Sequence, residues 1–198
     1  MNKTYLALGD SYTIGEAVSS AESFPFQLVE ELKKRGQFYA QPAVIAQTGW
    51  TTDELMEAIR SKNLSGVFDL VTLLIGVNNQ YRGYPLENYR KEFKALLQTA
   101  LNYAGGIEKN VLVISIPDWG VTPFAQKSDR DLQQISEEID VFNAINREES
   151  LKAGITYVDI TPGSRKALAD IFLLAEDGLH PSGKMYAEWV EQIIKGYN

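Results

Sequence analysis

Five short apolar segments, separated by longer stretches of helical period, constrain the fold of this chain more than any other feature. The segments are rich in β-branched residues or leucine and are bounded by glycine, proline, asparagine or aspartate, which is typical of strands. They comprise residues 5–8, 43–46, 70–75, 111–116 and 155–158. The third has no polar residue except Thr72, as expected of a strand that is covered on both faces.

Between these segments, hydrophobic residues recur at the spacing of amphipathic helices. Such helix faces are predicted over residues 86–104, 132–145 and 185–194. Residues 51–54, Thr-Thr-Asp-Glu, have the pattern of a capping box, which predicts that a further helix begins there.

The alternation of strand and helix predicts a parallel sheet with helices on both faces. We expect an α/β fold, a three-layer α/β/α sandwich around a five-stranded parallel sheet of the flavodoxin-like type. No linker, repeat or low-complexity tract interrupts the pattern, so residues 1–198 are interpreted as one domain. Residues 117–130 are too irregular for the core and are predicted to form a long loop, of a kind that is often functional.

Composition excludes several classes of function. The formal net charge is -7 and no Lys/Arg block occurs, so neither a nucleic acid nor an anionic membrane surface is an expected partner. The absence of cysteine removes disulfides, thiolate nucleophiles and zinc–thiolate sites. No stretch is long enough to span a membrane. The N-terminal apolar run is too short for a signal peptide, so a cytoplasmic location is expected unless a leader for secretion or periplasmic export has been removed.

The predicted architecture indicates where a ligand binds. In open α/β sheets, ligands occupy the crevice outside the carboxyl ends of the strands. The residues that follow the first four strands are Gly-Asp-Ser at 9–11, Gln-Thr-Gly at 47–49, Gly-Val-Asn-Asn at 76–79 and Pro-Asp at 117–118. All four segments are therefore expected along one edge of the sheet.

Two candidate groups for acid–base and nucleophilic chemistry stand at opposite ends of the chain. His180 is the only histidine, and histidine is the usual base near neutral pH. Asp177 precedes it by three residues, a spacing that lets one carboxylate accept the ring Nδ1–H and leave Nε2 free. Ser11 directly follows the first strand, which is central in a doubly wound sheet, and is well placed to be a nucleophile if a base reaches it.

Two further residues offer hydrogen-bond donors for the negative charge that develops during acyl transfer. Gly49 follows the second strand, and a glycine allows close approach to its backbone N–H. Asn78 follows the third strand and carries a side-chain amide. Taken singly, each of these residues is as readily explained as an ordinary loop residue.

Taken together, the motifs resemble the SGNH hydrolase family, also called the GDSL esterases and lipases. The matching motifs extend from residue 9 to residue 181. The resemblance implies Ser11 as nucleophile, His180 as base and Asp177 as the residue that orients it. It also implies an oxyanion hole made by the Ser11 and Gly49 backbone N–H groups and the Asn78 amide. Neither a metal nor a cofactor is expected.

The chain departs from the family pattern at two positions. Tyr12 replaces the leucine of the GDSL motif, and Asn79 stands where an aspartate is frequent. Neither position supplies a catalytic atom in the scheme above. The serine also lacks the Gly-x-Ser-x-Gly setting of the α/β-hydrolase elbow.

The expected substrate is a small carboxylic ester with a short acyl group or an acetylated molecule, because no long insertion is available as a lid. Five aromatic residues are candidates for the pocket wall: Tyr12, Trp50, Tyr81, Trp119 and Phe124. A lysophospholipase- or thioesterase-type lipid hydrolase of the same family is the alternative. A non-catalytic ligand-binding module remains a second alternative, and a metal hydrolase using Asp10, Asp118, Asp177 and His180 a third. The oligomeric state is not predicted.

Overall fold

A computed structural model describes residues 2–197, and at its centre lies a sheet of five parallel strands. The strands are β1 (Tyr5–Gly9), β2 (Ala43–Ala46), β3 (Leu70–Leu74), β4 (Val111–Ile114) and β5 (Thr156–Val158). Their order is β2-β1-β3-β4-β5, and every neighbouring pair is parallel. The predicted five-stranded parallel sheet is confirmed.

Helices cover both faces of this sheet. Within residues 2–197 they are α1 (Ser11–Ile14), α2 (Phe24–Lys34), α3 (Thr52–Lys62), α4 (Val77–Tyr81), α5 (Leu86–Tyr103), α6 (Pro123–Gln126), α7 (Leu132–Lys152), α8 (Thr161–Ser164) and α9 (Gly183–Tyr197). Helices α2 and α9 pack together on one face, and α3, α5 and α7 lie on the other. The predicted three-layer sandwich is confirmed. None of the helices between residues 2 and 197 has both the length and the apolar character that a membrane crossing requires.

The core lies in two layers, one on each side of the sheet. All residues of β1, β3 and β4 are buried, which explains why these strands are apolar runs without alternation. The predicted helix faces supply much of the rest of the core, together with α2 and α3. Their buried residues include Tyr89, Phe93 and Leu96 of α5, Ile135, Ile139 and Phe142 of α7, and Met185, Trp189 and Ile193 of α9.

Two strands end earlier than their apolar segments predict. β3 ends at Leu74, because Gly76 turns the chain with a φ of 129°. β4 ends at Ile114, and the N–H of Ile116 is donated to Asn143 Oδ1 at 2.8 Å instead of to a neighbouring strand. Both departures bring the chain out of the sheet at the edge where ligands are expected.

Residues 117–130 are only partly the irregular loop that the sequence predicts. They include a 3-10 helix, Trp119–Val121, followed by α6, and residues 127–130 have no regular structure. Each of these elements has its own cap, because the side chains of Asp118 and Thr122 accept backbone N–H groups at 2.8 and 3.2 Å. Asp118 also forms an ion pair with Arg165 at 2.8 Å. The caps and the ion pair thus hold the first part of the segment against the rest of the molecule.

The register of the sheet sets three carboxyl ends side by side. Gly9 at the end of β1 pairs with Ala46 of β2 and with Leu74 of β3. The chain segments that follow these three strands consequently emerge at neighbouring points of one sheet edge, with the β1 segment in the middle.

Candidate active site

Ser11 is the first residue of α1, directly after the central strand. Asp10 caps this short helix, and its Oδ1 accepts the N–H of Tyr12 at 3.1 Å. Gly9 is required ahead of it because a Cβ there would collide with the side chain of Thr13. The N–H of a first helical residue has no partner inside the helix. Ser11 therefore offers both a hydroxyl group and a free backbone N–H. The residue as a whole is only 5% exposed.

His180 and Asp177 occupy one turn just ahead of α9. The His180 ring Nδ1 lies 2.6 Å from Asp177 Oδ2. The other carboxylate oxygen, Oδ1, accepts the backbone N–H groups of Leu179 and His180 at 2.9 and 3.0 Å. Gly178 makes the turn with a φ of 67°. The carboxylate is thus fixed by three hydrogen-bond donors, and it fixes the imidazole in turn.

Two carboxyl groups near Ser11 have pKa values shifted in opposite directions. Complete burial raises the pKa of Asp10 to about 7, against a smaller opposing effect of its backbone hydrogen bonds. Its Oδ2 has no hydrogen-bond partner among the described residues. Partial burial also pushes the pKa of Asp177 upward, but the hydrogen bonds from the His180 ring and from two backbone N–H groups outweigh it and leave that pKa below its ordinary value.

Gly49 lies in a tight turn after β2. The N–H of Trp50 is donated to the carbonyl of Gln47 at 3.3 Å, and Gly49 has a φ of 85°, which explains why a glycine is needed at the third position of this turn. Asn78 donates one hydrogen of its side-chain amide to the carbonyl of Trp50 at 3.0 Å. Because an amide group has two donor hydrogens, the second remains available.

One cavity of about 230 Å³ brings most of the candidate residues together. Ser11, Gly49, Asn78 and His180 all line it, although the first and last of them are 169 positions apart in the sequence. No Asp, Glu, Lys or Arg belongs to the lining within the described part of the chain. The full lining is Ser11, Tyr12, Thr48, Gly49, Val77, Asn78, Tyr81, Trp119, Phe124, Leu179 and His180.

An aromatic wall closes one side of this cavity and consists of Tyr81, Trp119 and Phe124. The Trp119 ring centroid is 5.5 Å from that of Tyr81 and 6.1 Å from that of Phe124. Trp119 Nε1 donates to Gln80 Oε1 at 2.8 Å, and the Arg130 guanidinium lies 5.4 Å from the Trp119 ring. Trp119, at the middle of the wall, is therefore held in place by a hydrogen bond and a cation–π contact.

The other aromatic candidates differ in position. Tyr12 lines the cavity and its ring centroid is 5.6 Å from that of His180. Trp50 is not part of the lining; it is half-buried against the core, and its carbonyl is the group that Asn78 holds. Three lining residues were not among the candidates, Thr48, Val77 and Leu179. Each is next to a candidate residue in the sequence, and this adjacency was the available signal.

The residues suggested for a metal hydrolase do not converge. Asp118 is used by its ion pair with Arg165 and by the cap of the 3-10 helix. Asp177 is used by His180. Across residues 2–197, no group of three or more His, Asp or Glu side chains is arranged to hold a metal ion.

Solved structures with the same fold include several proteins of low sequence identity. The crystal structure of TesA superposes with a TM-score of 0.71 at 16% identity, over 98% of this chain and 97% of that one. A lipase/acylhydrolase from Enterococcus faecalis gives 0.71 at 19% identity, over 98% and 94%. Axe2, an acetyl xylan esterase from Geobacillus stearothermophilus, gives 0.70 at 16% identity in its W215I variant, over 99% and 94%. No curated protein sequence matches.

The fold, together with a match to a family model, defines an ester hydrolase. The model of the GDSL-like Lipase/Acylhydrolase family matches residues 7–188, which is most of the chain. The chain belongs to this family, and the resemblance inferred from its motifs is confirmed. Membership favours the enzyme over the non-catalytic ligand-binding module.

Proposed function

We propose that the protein is a serine esterase in which Ser11, His180 and Asp177 form the catalytic triad. The observation that carries this proposal is the opening of Ser11 and His180 into one cavity, with Asp177 bound to the ring Nδ1 of His180 at 2.6 Å. That hydrogen bond assigns the proton to Nδ1 and leaves Nε2 as the base.

The reaction begins when His180 Nε2 takes the proton of the Ser11 hydroxyl as its oxygen attacks the ester carbonyl carbon. The tetrahedral intermediate collapses as the imidazolium gives that proton to the leaving alcohol, and an acyl-enzyme remains. Water, deprotonated by His180, then attacks the acyl carbon, and the imidazolium returns the proton to the Ser11 oxygen as the acid leaves. Asp177 stays ionised throughout and stabilises the imidazolium.

The negative charge of the tetrahedral intermediate is stabilised by three donors in this proposal. They are the backbone N–H groups of Ser11 and Gly49 and the free amide hydrogen of Asn78. Support comes from their shared cavity and from the Asn78 to Trp50 bond, which fixes the orientation of the amide. Preorganised donors of this kind contribute about 3 to 4 kcal/mol each to the stabilisation of the transition state.

We propose small, uncharged esters as substrates. A volume of about 230 Å³ lies below the range of roughly 300–1,000 Å³ that is common for pockets of drug-sized ligands. The aromatic wall is apolar and its position is fixed, which limits the length of an acyl chain that fits. Each buried methylene contributes about 0.8 kcal/mol only while the cavity has room for it.

A panel of p-nitrophenyl esters tests both parts of the proposal. We expect kcat/KM to peak between acetyl and hexanoyl esters, acyl groups of about two to six carbons, a limit set by the per-methylene gain and the limited volume. Ser11→Ala should abolish hydrolysis of every ester in the panel. An optimum at decanoyl would contradict the proposed substrate class but not the triad, whereas hydrolysis by Ser11→Ala would contradict the triad.

A further inference from the structure

Three side chains from one short stretch, residues 78–82, bind the backbone or side chains of residues 49–52. Asn78 holds the Trp50 carbonyl at 3.0 Å. Arg82 Nη2 donates to the carbonyl of Gly49 at 2.7 Å. Asn79 forms two hydrogen bonds with Thr52. These contacts connect the segment after β2 to the segment after β3 at Gly49, Trp50 and Thr52.

Arg82 stands at the end of α4, and its N–H is donated to the carbonyl of Asn78 at 2.9 Å. Its side chain reaches back to Gly49 and is also bound to Glu54 at 3.3 Å. Glu54 in turn accepts the N–H of Thr51 at 2.9 Å as part of the capping box of α3. The guanidinium therefore fixes the Gly49 turn against both α4 and the start of α3.

Asn79 connects the same two segments through buried groups. Its Oδ1 accepts the N–H of Thr52 at 3.1 Å, and its Nδ2 donates to Thr52 Oγ1 at 2.7 Å. Thr52 Oγ1 then donates its single hydrogen to Glu92 of α5. Both Asn79 and Thr52 are 0% exposed. In this series of hydrogen bonds, each donor and acceptor is fixed, because the Thr52 hydroxyl has only one hydrogen to donate.

We propose that Asn79 and Arg82 are positioning residues that hold the Gly49 N–H and the Asn78 amide as one rigid pair of oxyanion donors. This inference rests on the proposed function. The two donors come from different loops, and a donor stabilises the oxyanion only if it is already aimed at the point where charge develops. A misplacement of about 1 Å can cost on the order of 100-fold in rate.

The chain of hydrogen bonds also explains why an amide occupies position 79 where the family frequently has an aspartate. A carboxylate there could not donate to Thr52 Oγ1, and it would compete with Glu92 for the single hydroxyl hydrogen. Two carboxylates would then face one hydroxyl in a buried place, which is costly. Asn79 and Glu92 are consequently a matched pair in this protein.

The first test compares Arg82→Ala with Arg35→Ala. Arg35 is a matched control because its side chain is 49% exposed against 42% for Arg82, and it too forms an ion pair with a glutamate. For p-nitrophenyl acetate, Arg82→Ala should lower kcat about 10- to 100-fold with KM within about twofold, since ground-state binding is retained. Arg82→Lys, which keeps one donor, should recover part of the loss, and Arg35→Ala should leave kcat unchanged.

The second test is a double-mutant cycle on Asn79 and Glu92. Asn79→Asp should lower kcat by at least about tenfold. Adding Glu92→Gln should restore part of that loss, because the new amide can donate to Thr52 Oγ1 and free the hydroxyl hydrogen for the carboxylate at position 79. The Glu92→Gln single variant completes the cycle, and thermal unfolding of each variant shows whether its fold is retained.

The outcomes separate this inference from the proposed function. If Ser11→Ala is inactive while Arg82→Ala keeps the wild-type kcat or changes only KM, the positioning role is wrong and the triad stands. Additive effects in the Asn79 and Glu92 cycle would also overturn it. If Ser11→Ala hydrolyses the ester, the proposed function is wrong and the positioning role falls with it.

Discussion

Two aspartates lie near the proposed nucleophile, and their surroundings differ in almost every respect. Asp177 is about one-third exposed, accepts three hydrogen bonds and has a lowered pKa. Asp10 is fully buried, has one oxygen without a partner within residues 2–197, and has a pKa raised to about 7. Because both residues are aspartates, the difference in their pKa values comes from burial and from the hydrogen-bond donors around each carboxylate.

This difference indicates which of the two aspartates can stabilise a protonated His180 ring. In the proposed mechanism an ionised carboxylate stabilises the imidazolium of His180, and the lowered pKa of Asp177 keeps that carboxylate ionised at neutral pH. Asp10, whose pKa is raised to about 7 by burial, is harder to ionise, and it is oriented by the start of α1 instead of toward His180. We therefore propose the electrostatic role for Asp177 and a local structural role for Asp10.

Removing the partner of Asp177 has the largest expected effect. His180→Ala deletes the proposed base, and the sequence has no second histidine that could replace it. We expect kcat for p-nitrophenyl acetate to fall by about 10⁶-fold, as for other triads in which the base is lost. A steady-state assay with purified variant measures this. A loss smaller than about 100-fold would mean that another group acts as base.

Neutralising the carboxylate itself is the next test. Asp177→Asn keeps the size of the side chain but removes the charge and allows the wrong imidazole tautomer. We expect kcat to fall by about 10⁴-fold, less than for His180→Ala. If the two losses are equal, or if Asp177→Asn retains full activity, the comparison between the aspartates is wrong and a different group orients His180.

The smallest expected effect is on stability and concerns Asp10. A folded-state pKa of about 7, above the ordinary 3.8, means that the folded protein binds more protons than the unfolded chain between these values, so stability falls as pH rises from about 4 to about 7. Asp10→Asn removes this dependence and keeps the acceptor for the Tyr12 N–H. Chemical denaturation should show the variant gaining a few kcal/mol relative to wild type between pH 4 and pH 8.

A loss of stability of Asp10→Asn relative to wild type as the pH rises would contradict the raised pKa of Asp10. If the stability of Asp10→Asn relative to wild type does not change over this pH range, Asp10 is not the group that is hard to ionise. Asp177→Asn is the matched variant. Its depressed pKa predicts no gain in stability above pH 4.

Much of the sheet could be predicted from the sequence, because its strands are covered on both faces and therefore form unbroken apolar runs. The ends of β3 and β4 could not, since a buried apolar residue such as Ile75 looks the same inside and just beyond a strand. The short helices within residues 117–130 were missed for a related reason. Their short helices depend on caps and on the ion pair of Asp118 with Arg165, which joins positions 47 residues apart.

The site shows the same division. Residues at the ends of strands, Ser11, Gly49 and Asn78, could be predicted because parallel strands bring their carboxyl ends to one edge. The network around Arg82 and Asn79 could not, because its bonds depend on side-chain directions at the end of α4. The contact of Asn79 with Thr52, 27 positions apart, leaves no periodic pattern in the sequence.

Covalent labelling is the most direct test of the central claim, that Ser11 is a nucleophile activated by His180. A fluorophosphonate forms a stable bond with an activated serine and mimics the tetrahedral intermediate in the oxyanion hole. We expect peptide mass spectrometry to find one label per chain, on Ser11, with labelling lost in Ser11→Ala and strongly slowed in His180→Ala. Labelling of a different serine, or labelling of Ser11 at an unchanged rate in His180→Ala, would contradict the account.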